Sequence, residues 1–174
     1  MLGLLTQIGP VNGNGLSQRA EVLIGDYWTL TRSQVYRELQ ALEHRGYLHA
    51  GPLGPRSSRQ FTVTDAGHRA FRQWLDAGPA AEVIRFPMLL TIRFARDLEP
   101  ARLRQLLEEF RALHHAKLEY YTQLEADMVA AANDPFEVAT VHFGRLFESA
   151  VATWLADLPS FVPAVLVDRD PSTS

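Results

Sequence analysis

Apolar residues cluster from Leu2 to Ile8 and stop at Gly9-Pro10, which predicts a first short helix. The cluster Asn12-Gly13-Asn14-Gly15 reads as a turn, and Leu16, Ala20, Leu23 and Ile24 place a second helix after it, closed by Gly25-Asp26. Thr31 then stands as an N-cap with Gln34 at N3, the two halves of a capping box. Val35, Leu39 and Leu42 mark the apolar face of the helix that follows, and Gly46 is its stop. Two strand-like runs, Tyr47-Leu48-His49 and Gln60-Phe61-Thr62-Val63, flank the turn-rich segment 51–59 and predict a β-hairpin with a basic tip. Thr64 caps a further helix with Ala66, Ala70, Phe71, Trp74 and Leu75 on its apolar side, and Ala77-Gly78-Pro79 breaks it.

The second half has a longer period. Residues 79–87 read as a linker, and Met88 to Arg96 as an apolar helix with Leu89, Ile92 and Phe94 as buried candidates. Pro100 opens a helix at N1 with no breaker before Asn133-Asp134-Pro135, a run of about 33 residues, or ~50 Å. Along it Leu103, Leu106, Phe110, Leu113, Lys117, Tyr120 and Leu124 alternate spacings of three and four, and Leu107, His114, Tyr121 and Met128 form an adjacent stripe. A heptad stripe implies a partner helix, so Leu103, Leu106, Phe110, Leu113, Tyr120 and Leu124 are the expected dimerisation residues. Asp134 as N-cap and Glu137 at N3 start a last helix carrying Phe136, Phe143, Phe147 and Trp154, and Pro159, Pro163 and the polar end read as a flexible tail.

The expected fold is therefore mainly α with a small β-hairpin wing: a winged helix-turn-helix over residues 1–78, a long-helix dimerisation domain over 79–158, and a tail over 159–174. The three tryptophans, Trp28, Trp74 and Trp154, are expected in the cores.

Composition narrows the chemistry. The 174 residues are 47% hydrophobic and 21% charged, enough apolar material for a core. No cysteine is present, which removes disulfides, thiolate metal sites and cysteine nucleophiles and suits a reducing compartment. The start lacks the pattern of a signal peptide and no run reaches the roughly 18 apolar residues of a membrane span, so a cytoplasmic location and no membrane partner are expected. The net charge of −3 conceals a division. Residues 1–78 hold eight arginines against six acidic residues, while the rest of the chain holds nine basic against fourteen acidic. That split suggests a nucleic-acid face on the first half and a different task for the second.

Catalytic spacings fail in turn: there is no HExxH, GxSxG, GxxxxGK[ST] or CxxC, and Gln18 occupies the third glycine position of a GxGxxG starting at Gly13. His114-His115 lies near Glu108, Glu109 and Glu119, but a di-metal bundle wants Glu-x-x-His pairs, and Arg111 and Ala112 stand three residues after Glu108 and Glu109. No enzyme, metal or cofactor is expected, with a metal-using helical enzyme centred on those histidines as the remote alternative.

What the spacing does support is a helix that fits the major groove, braced by the helix before it. Its first turns offer Arg32, Ser33, Gln34, Tyr36 and Arg37: arginine reads guanine, glutamine reads adenine, and hydroxyls hold phosphate. Arg56, Ser57 and Arg59 on the wing add phosphate or minor-groove contacts. A solvated helix face and a flexible surface loop are the alternative readings of these two sets.

The motifs Leu2-Gly3-Leu4-Leu5, Gly9-Pro10, Trp28 through Leu39, Leu42-Glu43, Gly46-Tyr47-Leu48 and Phe61 through Gly67 together resemble the PadR-like transcriptional regulators, over residues 1–78. Arg85-Phe86-Pro87-Met88-Leu89-Leu90 followed by two long helices is similar to the larger C-terminal dimerisation domain of that family. Two departures stand out: Val11-Asn12-Gly13-Asn14 where members often carry Met-His-Gly-Tyr, and Arg37 where many have proline. The resemblance implies a homodimeric, usually repressing regulator on a palindromic double-stranded operator, released in some members by a small-molecule effector whose site the sequence leaves unknown. A winged helix serving as a protein-interaction module without DNA binding is the alternative.

Overall fold

The computed structural model describes residues 1–25, 28, 30–54, 58–81 and 84–162. The chain divides into two compact units, Met1–Val83 and Ile84–Ser174.

The first unit runs α1 (Leu2–Ile8), β1 (Val11–Asn12), α2 (Gly13–Ile24), α3 (Arg32–His44), β2 (Leu48–Ala50), β3 (Gln60–Val63) and α4 (Asp65–Asp76). Leu4 and Leu5 from α1, Leu16 and Ala20 from α2, and Val35, Leu39 and Leu42 from α3 close a buried core with Leu48 and Phe61. The expected hairpin is part of a three-stranded antiparallel sheet in the order β1-β3-β2. Val11 pairs with Phe61 and Asn12 with Gln60, so the segment expected as a turn is a strand followed at once by a helix. Asn12 itself makes that change possible, because its side chain accepts from the Gly15 N–H at 2.8 Å and caps α2.

Local chemistry fixes the other boundaries. The Thr31 hydroxyl accepts from Gln34 N–H while Gln34 Oε1 accepts from Thr31 N–H at 2.8 Å, the reciprocal capping box. At the far end Gly46 takes φ +74°, and Tyr47 N–H donates to Leu42 carbonyl at 2.9 Å, closing a Schellman motif. Thr64 accepts from Gly67 N–H to cap α4 and donates to the Gly46 carbonyl at 2.8 Å, tying the end of α3 to the start of α4. A Cβ on Gly67 would stand 2.2 Å from the Tyr47 carbonyl oxygen, so α4 sits against the backbone that leads into β2 too closely for any other residue.

The second unit holds α5 (Pro87–Arg93), a 3₁₀ turn (Ala95–Asp97), α6 (Pro100–Ala130) and α7 (Pro135–Phe161). Pro87, Pro100 and Pro135 each sit in the first turn of a helix, where the missing N–H costs nothing. The turn between α6 and α7 is also a Schellman closure, with Asn133 N–H on Met128 carbonyl and Ala132 at φ +52°. Asp134 caps α7, accepting from Phe136 N–H at 2.9 Å. The two long helices pack antiparallel through Leu103 and Leu107 against Val151, Leu155 and Leu158, with Phe86, Met88, Ile92, Phe110 and Trp154 around them.

Several expectations are corrected here. Leu103, expected at a dimer contact, is 1% exposed in the core of its own chain, because the buried seam follows Leu103, Leu107 and His114. Of the α5 candidates only Ile92 joins the core, while Leu89 in the first turn of α5 and Phe94 at the junction with the 3₁₀ turn are exposed. Trp28 and Trp74 are each 65% exposed, the first beyond the end of α2 and the second on the outer side of α4; Trp154 packs on the second core. Pro159 lies inside α7, so the first residues of the expected tail are helical to Phe161, and residues 163–174 lie outside the described ones.

Candidate nucleic-acid interface

The first turns of α3 rest on α2 and carry the predicted contact residues on one exposed surface. Arg32, Ser33, Tyr36 and Arg37 are exposed, while Val35 and Leu39 on the opposite side are fully buried and hold the helix in place. A guanidinium that meets a guanine edge or a phosphate needs both features: a rigid helix beneath it and free donors above it. Arg37 is exposed, and its guanidinium carries five donors in a fixed fork.

The other side chains are less free. Arg32 donates to Asn14 Oδ1 from the start of α2. The ring of Tyr36 lies over Gly13, where a Cβ would stand 2.6 Å from Cε1 and 2.9 Å from Cζ, so its position depends on the glycine beneath. Ser33 and Gln34 serve the cap. The Ser33 hydroxyl lies 3.1 Å from the Thr31 hydroxyl, and Gln34 Oε1 accepts from the Thr31 N–H at 2.8 Å and from the Thr31 hydroxyl at 2.9 Å. Bidentate reading of adenine needs the amide oxygen and nitrogen together, so Gln34 reaches a base with its nitrogen alone unless the cap opens.

On the wing, Gly51 N–H donates to Gln60 carbonyl at 2.8 Å and Gly54 N–H to Ser58 carbonyl at 2.7 Å, extending the β2–β3 ladder toward the tip. Arg59 is exposed on that arm. Arg56 and Ser57 lie outside the described residues. Sequence reasoning passed over Asn14. Reading Asn12 as a cap would have placed Asn14 in the first turn of α2, beside the start of α3.

In the second unit the dimerisation candidates separate. Leu113 and Tyr120 are more than half exposed, whereas Leu106, Phe110 and Leu124 are half-buried. Phe136, Phe143 and Phe147 on α7 are exposed as well, at 82%, 64% and 40%. His114 and His115 point apart: His114 is buried and hydrogen-bonded to Glu148, and His115 is exposed, 3.7 Å from Glu119. Among the described residues no three or more His, Asp or Glu side chains converge as a metal site. Nearer the hairpin end, Glu125 accepts from Arg145 and lies 2.7 Å from His142 Nδ1; these hydrogen bonds hold its carboxyl below the usual carboxylate range. No helix among the described residues is long and apolar enough to cross a membrane.

Residues 1–73 match the family model described as the transcriptional regulator PadR-like family, and residues 84–158 match the one described as virulence activator alpha C-term. The negative transcriptional regulator PadR of Bacillus subtilis is 22% identical to this chain over 98% of its length and 96% of that protein's. The crystal structure of B. subtilis PadR in complex with operator DNA superposes with a TM-score of 0.75 at 21% identity, covering 92% of this chain and 94% of that one. Its complex with p-coumaric acid gives 0.72 at 22% identity over 93% and 95%. With an N-terminal winged helix and a C-terminal helical hairpin matched in this order, the chain belongs to the PadR-like transcriptional regulator family.

Proposed function

We propose that the chain represses transcription as a homodimer that binds a palindromic operator through α3 and the wing of each copy. The observation that carries this reading is the pair of arginines at the start of α3, Arg32 and Arg37, exposed above a helix whose underside is locked into the core. Arg59 on the wing arm supplies a further cation, for phosphate or the minor groove. The exposed apolar side chains of α6 and α7, Leu113, Tyr120, Phe136 and Phe143, support pairing through the second unit. Two winged domains are then set one helical turn apart, roughly 34–36 Å. The operator complex of the B. subtilis relative supports DNA as the partner, and its p-coumaric acid complex supports a small-molecule effector. Such an effector changes operator affinity only by its differential affinity for the two arrangements of the dimer. The protein works in the cytoplasm, where its operator is.

Binding to a labelled palindromic duplex across a salt series tests the reading. Affinity should fall steeply between low and physiological salt. Undetectable or salt-independent binding would count for a protein-interaction module instead. Arg37→Ala should weaken binding by ~1–3 kcal/mol and relax preference at one operator position. A loss equal for all sequences would assign Arg37 to phosphate.

A further inference from the structure

The start of α3 is held from a neighbouring helix by a side chain outside the predicted contact set. The Arg32 guanidinium donates through one Nη2 hydrogen bond to Asn14 Oδ1, across eighteen positions of sequence. Asn14 is placed in turn by two fixed elements. The Asn12 cap sets the first turn of α2 through its 2.8 Å bond to Gly15 N–H, and β1 pairs Asn12 with Gln60 of the wing. Beside it, the Tyr36 ring closes over Gly13. A continuous set of contacts thus runs from the wing strand through the α2 N-terminus to Arg32.

We propose that Asn14 is a positioning residue for operator recognition, holding the Arg32 guanidinium in its docked orientation before DNA arrives. This rests on the reading that α3 enters the duplex. An arginine has five donors, and the bond to Asn14 engages one of its nitrogens, leaving the remaining N–H groups for a phosphate or a guanine edge. A free arginine loses rotamer freedom when it docks, and a side chain already held loses less.

A double-mutant cycle tests it with the full chain and a labelled operator duplex: Asn14→Ala, Arg32→Ala, and both together, with thermal unfolding as the check on folding. Asn14→Ala should weaken binding about 3- to 10-fold, the rotamer cost restored to Arg32. In the Arg32→Ala background the same change should have no further effect, which a direct DNA contact or a general loss of structure would not reproduce. An unchanged affinity for Asn14→Ala, or an equal loss in both backgrounds, overturns the proposal. Wild-type protein that fails to bind duplex at all instead defeats the operator reading beneath it.

Discussion

The two units solve the burial problem differently. In Met1–Val83, three helices and the sheet surround one core, and Leu16, Val35 and Leu39 are shut off from solvent. In Ile84–Ser174, the buried set gathers where α6 begins and α7 ends, and toward the hairpin turn the same two helices expose Val129, Phe136 and Phe143. A two-helix hairpin has one shared seam, so each helix keeps a second apolar side that the described residues of its own unit leave exposed. The first unit closes a core from several elements and carries polar groups on the start of α3; the second leaves the apolar face to which the proposed pairing is assigned.

The contrast is broken most directly at the uncovered face. Phe143→Asp places a carboxylate on a 64% exposed position, so the chain should still fold while pairing fails. Operator affinity should then drop by about 10²–10⁴-fold, the loss of bivalent binding. Sedimentation alongside the binding assay checks it: a dimer with full affinity would show that Phe143 lies outside the interface.

The buried polar pair gives the next largest effect. Glu148 and His114, 3% and 7% exposed, satisfy each other inside the second unit. Glu148→Ala leaves the imidazole without that partner and should cost about 3 kcal/mol in urea unfolding, while Glu148→Gln, which can still hydrogen-bond, should cost less. Equal losses for the two would show that packing around the site, rather than the hydrogen bond, is what matters.

A smaller effect separates the two Schellman turns. Gly46 closes α3 at φ +74° without strain, whereas Ala132 closes α6 at φ +52° with a Cβ in the left-handed region. Ala132→Gly should therefore stabilise the second unit by about 0.5–1 kcal/mol, read as a raised urea midpoint. A lowered midpoint would mean that the Cβ makes contacts worth more than its strain.

The acid response is the finest of these distinctions. Because hydrogen bonds to His142 and Arg145 lower the Glu125 carboxyl in the folded chain, its contribution is present above the usual carboxylate range and is lost as pH falls through it to the lowered value. The difference in unfolding midpoint between wild type and Glu125→Gln should be constant near neutrality and shrink below about pH 4. A difference that grows on acidification would reverse the assigned sign.

What the sequence made legible follows the range of the interactions involved. The Thr31–Gln34 box, the Thr64 cap, the Gly46 stop and the prolines opening α6 and α7 act within a few residues, so their chemistry is written locally. Strand β1 is two residues long and exists because Val11 and Asn12 meet Phe61 and Gln60, which no local pattern announces. The bonds from Arg32 to Asn14 and from His114 to Glu148 span eighteen and thirty-four positions and were equally invisible. In α6 the sequence displayed two apolar stripes but not which one its own chain would cover. Leu103 went inward, while Leu113 and Tyr120 stayed out.

The central claim is that the start of α3 reads duplex DNA as one half of a pair. Selecting bound duplexes from a random pool with the full chain tests recognition, symmetry and spacing together. The account predicts enrichment of two inverted half-sites with centres about 10 base pairs apart. No enrichment, or a single asymmetric site bound by one chain, would contradict it.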